Sequence, residues 1–392
     1  MKSERQRTRP ITTSGIRTGA AGDRVPRSAV QPSRNLRICV VAPSLDSYGG
    51  QSIQAARLIE GLNQEPGFEA ELLPINPRLP GALRHLQRIK YVRTVVTECL
   101  YLILLLIRLA RFDVIHVFSA SYFSFLLAPT PALLIAKLFG RPVLLNYHSG
   151  EAEDHLQRWR RTALPVIKLA DRVVVPSGFL KVVFARFGIR AEAISNTVEL
   201  DQFIFRERRP LLPVLFSNRN HESHYKVDDT IRAFALIGKQ VPEARLIVAG
   251  HGSQTEFLKQ LTMEMGLTQV EFLGAVHPSQ MPALYDAADI FINASIIDNM
   301  PLSIIEAFAC GLPVVTTGAG GITYMVDGDR TGKIVKPGDY RALAEAVLSL
   351  LDDQSSTQKL ITNARQEGES YTWKAVKSVW LTAYQDLRHR IS

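Results

Sequence analysis

The chain has 392 residues, with 46 Lys and Arg against 37 Asp and Glu and a net charge of +9. That length allows two domains with separate cores, and the composition excludes fibrous and low-complexity classes. Three widely spaced cysteines, Cys39, Cys99 and Cys310, make neither a disulfide framework nor a zinc-ligand pattern and fit a reducing, cytoplasmic setting.

The charge is uneven. Residues 1–34 hold eight Lys and Arg against Glu4 and Asp23, so most of the net charge lies in this segment. It has no apolar periodicity and predicts a disordered basic tail over 1–34. It lacks the apolar core of a secretory signal, and a transit peptide is the alternative. The remainder is near neutrality and shows no reading motif, so nucleic acid is not an expected partner.

From residue 35 the elements alternate. "LRICVVAP" predicts a strand, "SLDSYGGQS" a turn, "IQAARLIEGLNQ" a helix and "AELLPI" a strand. A basic-apolar region, 84–111, follows. Its apolar run "CLYLILLLI" is about half the length needed to span a bilayer, and it is bracketed by Arg84, Arg88, Lys90 and Arg93 before it and Arg108 and Arg111 after it. It reads either as a core helix with a basic approach or as an amphipathic element on an anionic membrane surface. Then come strand "FDVIHVFS", helix "ALLIAKLFG", strand "RPVLLNYHSG", strand "ADRVVVPS", helix "GFLKVVFARFG" and strand "AEAISNTV".

The alternation restarts after a charged, Pro-terminated joint near 198–210. Strands are expected at "RPLLPVLFSNR", "ARLIVAGHGS", "QVEFLGAV", "DIFINAS", "LPVVTT" and "GKIVKPGD". Helices are expected at "DDTIRAFALIGKQVP", "QTEFLKQLTMEMG", "QMPALYDAA", from Pro301 to Cys310, and at "YRALAEAVLSLLDD". The fold class is α/β, with two facing doubly wound, Rossmann-like domains at about 35–198 and 199–375. In such sheets ligands bind beyond the carboxyl ends of the strands, here in the cleft between the domains.

Those strand ends carry the candidate chemistry. Gly49 and Gly50 allow close backbone approach, and the helix start after them offers N–H groups to an anion; a plain glycine turn is the bland alternative. His148 ends a strand in "NYHSGE", where it opens into the cleft or serves only the packing. Arg219 and Lys226 leave another strand end and suit a diphosphate, or a solvated loop. Gly250 lies in "AGHGS", too short for a dinucleotide fingerprint. Asp298 and Glu306 flank the turn Asn299, Met300, Pro301 and Leu302, whose helix start is an anion site; singly they read as a cap and a core-edge carboxylate. Cations, helix N-termini and carboxylates together suit a nucleotide diphosphate sugar. No closely spaced acidic pair of the D-x-D kind stands out at a strand end, and H-E-x-x-H and Walker A motifs are absent, so neither a metal nor another cofactor is expected.

In this order and spacing, "PSLDSYGGQSIQAARL", "FDVIHVFS", "YHSGE", "ADRVVVPSGFL", "AISNTVELDQF", Arg219 with Lys226, "LIVAGHGS", "VEFLGAV", "DNMPLSIIE", "GAGG" and "DGDRTGKIVKPGD" resemble glycosyltransferase family four. These are retaining enzymes of the two-Rossmann GT-B superfold, and the resemblance covers about 36–385. It implies an acceptor-side first domain, a nucleotide-sugar-binding second domain, and a C-terminal helix, 376–392, returning to the first. The family's E-x(7)-E signature stands here as D-x(7)-E. The resemblance implies that Glu306 binds ribose hydroxyls and that Asp298 and His148 lie at the transferred sugar. It places the 299–302 backbone on sugar and phosphate, and Arg219, Lys226, Gly49 and Gly50 at the diphosphate. Asp298 is one methylene short of the family's glutamate, and Val227 stands where a glycine is usual. The implied partners are a nucleotide sugar and a glycan, lipid-linked or small-molecule acceptor. Peripheral contact with the inner face of the cell membrane through 84–111 is a further expectation. The alternatives are an epimerase or hydrolase of the same superfold and a non-catalytic family member.

Overall fold

The computed structural model describes residues 34–45, 49–79, 81, 87, 89, 92–119 and 121–389. The basic tail over 1–33 and Arg84, Arg88 and Lys90 of the basic approach lie outside the described residues. Residues 35–392 form one compact unit. It contains two six-stranded sheets, both wholly parallel.

The first half runs β1 (Leu36–Ala42), α1 (Gly50–Gln64), β2 (Phe68–Pro74), α2 (Val92–Arg108), β3 (Val114–Ser119), α3 (Tyr122–Leu127), α4 (Pro129–Leu138), β4 (Val143–Tyr147), α5 (Ala152–Arg158), α6 (Arg160–Ile167), β5 (Arg172–Val175), α7 (Gly178–Arg186) and β6 (Glu192–Ala193). Its strand order is β2-β1-β3-β4-β5-β6. β3 and β4 are buried along their whole length, as strands covered on both faces must be. One face packs on α2 and α4–α7 through residues such as Val41, Ile115, Leu145, Leu105, Leu133 and Phe184.

The second half runs β7 (Val214–Asn218), α8 (Val227–Gln240), β8 (Arg245–Ala249), α9 (Thr255–Glu264), β9 (Val270–Gly274), α10 (Met281–Ala287), β10 (Ile290–Asn293), α11 (Leu302–Cys310), β11 (Val314–Thr317), β12 (Lys333–Val335), α12 (Tyr340–Asp352), α13 (Gln354–Glu369) and α14 (Trp373–Arg388). Its order is β12-β11-β10-β7-β8-β9.

The last helix belongs to the other half's core. Val376, Trp380, Ala383, Tyr384 and Leu387 of α14 pack with Ile38, Val40, Val114 and Leu144 of the first sheet. Tyr384 and His116 share a 2.6 Å hydrogen bond inside that core. Burial holds the His116 imidazole down at about 3, so it is neutral in the folded chain.

Two local readings change. The strand expected over "AEAISNTV" shrinks to Glu192–Ala193, because Asn196 donates to the Met300 carbonyl of the second half and the Thr197 N–H to Gln54 of α1 instead of to a ladder. Pro301 is the cap of α11, with extended backbone, and Leu302 starts the helix. Gly311 ends it at φ 75°, the left-handed position that favours glycine.

Candidate functional site

The carboxyl ends of both sheets open into a single cavity of about 760 Å³. The first half contributes Gly49, Gly50, Arg57, His148, Gly150 and Glu151; the second contributes Arg219, Gly250, Asp298 to Ser303, and Glu306. This is the size of a cleft for a ligand larger than a single sugar.

The floor is the start of α11. Asp298 precedes it, and its carboxylate accepts from the Asn299 N–H at 2.9 Å. Pro301 has no N–H to lose at the cap; Ile304 N–H donates to the Pro301 carbonyl at 3.2 Å, and the Leu302 and Ser303 N–H groups before it have no partners within the helix. Glycines let other chain segments crowd this turn. A Cβ at Gly320, which sits at φ 49°, would collide with the Asp298 carbonyl, and one at Gly150 would come within 3.1 Å of the Asp298 backbone.

Arg219, just past β7, ion-pairs with the Asp298 carboxylate and donates to Ser303 Oγ at 3.2 Å. Its guanidinium lies 4.3 Å from the centre of the Tyr225 ring. Burial disfavours the charge, but Asp298 more than offsets this and holds the guanidinium protonated above its usual range. Asp298 therefore sits on Arg219 in this conformation. Its shorter side chain fixes the cation at the mouth of the α11 turn.

Glu306 lies on the fifth residue of α11, buried at 6% exposure. Its Oε2 accepts from Tyr285 Oη at 2.9 Å, and its Oε1 lies 3.8 Å from Arg57 Nη2. Burial pushes its carboxyl above the usual carboxylate range, against the pull of Arg57 and Tyr285. Arg57 comes from α1 in the other half. It donates from Nη1 to the Thr197 carbonyl at 2.7 Å and lies 3.6 Å from Glu199.

His148 closes the opposite wall. Its ring stacks on Phe118 at 5.0 Å, its carbonyl accepts from Asn299 Nδ2 at 3.4 Å, and burial holds its imidazole down at about 3. Asn196 Nδ2 donates to the Met300 carbonyl at 3.0 Å, and Ser177 Oγ bonds Asn299 Oδ1. The Asn299–Met300 turn is thus held by side chains of the first half.

Gly49 caps α1 in extended conformation, and its N–H donates to Ser52 Oγ at 3.2 Å. A Cβ at Gly50 would meet nothing within 4 Å, so the space before it belongs to the cavity. Gly250 sits at φ 143°, and a Cβ there would collide with the Arg219 carbonyl. Glycine is required at that turn by the neighbouring strand end.

Among the expected site residues, Lys226 alone is not part of the lining. It occupies the left-handed region at φ 49°, in the position before α8. Its Nζ turns to Asp228 at 3.0 Å and Asp229 at 3.9 Å, because the first turn of α8 offers two carboxylates within its reach. The side chains that sequence reasoning missed are Arg57, Asn196, Ser177 and Tyr285. Arg57 left a signal: it lies seven residues after Gly50, two helical turns along the face that follows the glycine turn. Among the described residues no group of three or more His, Cys, Asp or Glu is placed to hold a metal ion.

The family Glycosyltransferase Family 4 matches residues 48–202, and Glycosyl transferases group 1 matches 204–367. Sulfoquinovosyl transferase SQD2 of Arabidopsis thaliana is 27% identical over 292 residues, 68% of this chain and 56% of that protein. Glycogen synthase of Mycobacterium tuberculosis is 28% identical over 272 residues, 65% of either chain. The chain thus spans less than two thirds of the length of these two relatives. The crystal structure of Anabaena HepE with UDP and glucose superposes with a TM-score of 0.70 at 18% identity, covering 89% of this chain and 99% of that one. The fold is therefore GT-B, and with both halves matched the chain belongs to the family 4, group 1 glycosyltransferases.

Proposed function

We propose that this protein moves a sugar from a nucleotide diphosphate sugar to an acceptor hydroxyl, with retention at the anomeric carbon and without a metal. The observation that carries this reading is one cleft holding a buried carboxylate, Glu306, a largely covered cation, Arg219, and the start of α11. Glu306 accepts from the ribose hydroxyls. The N–H groups at the starts of α11 and α1, with Arg219, receive the charge that builds on the departing diphosphate. Lys226 joins them only by leaving Asp228, a rotation its flexible stem permits. The neutral His148 and the Asp298–Met300 turn border the space left for the sugar.

In the transfer step the bond from the anomeric carbon to the diphosphate oxygen breaks while the acceptor oxygen bonds the same face. The acceptor's proton goes to the leaving diphosphate. No protein nucleophile is assigned. The acceptor is a hydroxyl of a glycan, a lipid-linked glycan or a small molecule. A protein of this fold determined with UDP and glucose is in keeping with the donor class.

The test is thermal unfolding against UDP-, GDP-, ADP- and TDP-sugars, beside the Glu306→Gln variant. Ligand at about 100 times its dissociation constant stabilises the folded state by about 2.7 kcal/mol. A rise with one nucleotide, lost in the variant, is the expected result. No rise with any of them overturns the donor site. Donor consumption without transfer to any acceptor would turn the reading to a hydrolase.

A further inference from the structure

The charge of the cleft is unbalanced for the ligand proposed. Among its described lining residues Arg57 and Arg219 face Glu151, Asp298 and Glu306: two cations minus three carboxylates, or −1. Arg219 is ion-paired with Asp298, and Arg57 lies beside Glu306 and Glu199. A diphosphate adds negative charge to this space and needs donors beyond those two side chains. Lys226 stands outside the lining. Its backbone is left-handed at φ 49°, and Asp228 at 3.0 Å and Asp229 at 3.9 Å hold its Nζ at the first turn of α8.

Three histidines line the cleft: His148, His224 and His251. Burial holds His148 down at about 3, so it stays neutral. His251 is exposed. His224 is half-buried in the short turn Ser223–Tyr225. Its carbonyl accepts from the Ile296 N–H at 2.9 Å, which ties it to the segment leading into Asp298. Its ring packs on Tyr225 at 4.1 Å, and the Arg219 guanidinium lies 4.3 Å from the centre of that same ring. The imidazole is thus one aromatic ring away from the cation assigned to the diphosphate. Glu222 in the same loop gives its carboxylate to Ser253, accepting from the backbone N–H at 3.0 Å and from Oγ at 2.6 Å.

We propose that His224 is the second side-chain donor to the diphosphate, in the role from which Lys226 is turned away. This rests on the donor reading of the cleft. An imidazole gains its proton near about pH 6.5, whereas a lysine ammonium keeps its own well above neutrality. A histidine donor therefore strengthens diphosphate binding as the solution is acidified from about pH 8 to about pH 6, and a lysine donor changes little over that range. Arg219, Tyr225, Glu222, His251, Asp298 and Glu151 share this space, and Glu306 lies deeper in the cleft. The pH dependence is therefore assigned by comparing variants at one pH at a time.

The test is calorimetric titration of the full chain with inorganic pyrophosphate, a probe that carries neither base nor sugar. Wild type, His224→Gln, His251→Gln and Lys226→Ala are compared at about pH 6 and about pH 8. Their melting temperatures check that the fold is kept. His224→Gln is expected to weaken binding about tenfold at the lower pH and less than about threefold at the higher. The ring nitrogen resonances of His224 should also move when pyrophosphate is added. An equal loss at both pH values, or no loss, would overturn the proposal. So would an acid-side loss that follows His251→Gln instead, or a larger loss in Lys226→Ala, which returns the role to the lysine. A wild type that binds no pyrophosphate overturns it as well. Pyrophosphate bound as expected, with no response to any nucleotide sugar, supports the His224 site and sinks the donor reading alone.

Discussion

The contact between Arg57 and Glu306 joins the two halves of the molecule, and its strength can be worked out. At 3.8 Å, opposite charges attract by about 4 kcal/mol at an effective dielectric near 20. The distance excludes a direct hydrogen bond, and both groups are desolvated, at 10% and 9% side-chain exposure, which offsets part of the attraction. A net coupling of about 1–2 kcal/mol remains. It is measured by a double-mutant cycle of Arg57→Met and Glu306→Gln, using denaturant unfolding at several pH values. The sign follows from burial. Glu306 has a folded-state affinity for its proton above that of the unfolded chain, so its own contribution is present at low pH and lost as pH rises through the folded value. Arg57 opposes that loss by favouring the ionised form. The coupling is therefore largest above the raised folded-state value, where Glu306 is ionised, and fades as pH falls through that value, before the ordinary carboxylate range is reached. A coupling that stays within about 0.3 kcal/mol of zero above that value, or one that does not change with pH, refutes the argument.

Asp298→Ala leaves the Arg219 guanidinium buried without its carboxylate, and a loss of about 3–5 kcal/mol in unfolding free energy is expected by chemical denaturation. Asp298→Asn, which keeps a hydrogen-bond acceptor, should lose less. Gly250→Ala forces a side chain into the Arg219 carbonyl from positive φ, so a loss of at least about 2 kcal/mol together with weaker donor binding by calorimetry is expected. His116 is depressed from 6.5 to about 3 by burial, so its contribution is present above 6.5 and lost as pH falls from there toward 3. At pH 5 that loss is about 2 kcal/mol, and the acid slope of the melting temperature should flatten in His116→Phe, which also gives up the bond to Tyr384. Lys226→Ala takes the cation from a part-buried Asp228 and a buried Asp229 in the first turn of α8, so a stability loss of about 1 kcal/mol is expected by chemical denaturation, while transfer falls further if the side chain swings to the diphosphate.

The sheet architecture was legible because parallel strands buried on both faces leave continuous apolar runs such as "VIHVFS" and "VLLNY", each followed by a helical period. The turn at Asp298 to Leu302 was legible too, because Pro and Gly mark both ends of α11. The helices α5, α6 and α13 were not. Segments such as "AEDHLQR" and "QSSTQKLITNARQEGE" are short or polar, and take their helical form from neighbours far away in sequence. The direction of Lys226 was hidden for a similar reason. A sequence gives the cation's position along the chain, while Asp228 and Asp229 decide which way it turns. The reach of Arg57 and Asn196 across the cleft depends on how two halves meet, which local periodicity does not encode.

The placement of α14 has a consequence for the order in which the molecule can be made. Chains emerge from the ribosome N-terminus first, and domains generally fold as they appear. Here the face of the first sheet bearing Ile38, Val40, Val114 and Leu144 waits for Trp380, Tyr384 and Leu387, which are synthesised after the whole second half. Until then His116 has no Tyr384 to bond and an apolar face stays open. The first half can thus complete its core only after the second half has been synthesised, and until then its open apolar face is exposed to aggregation.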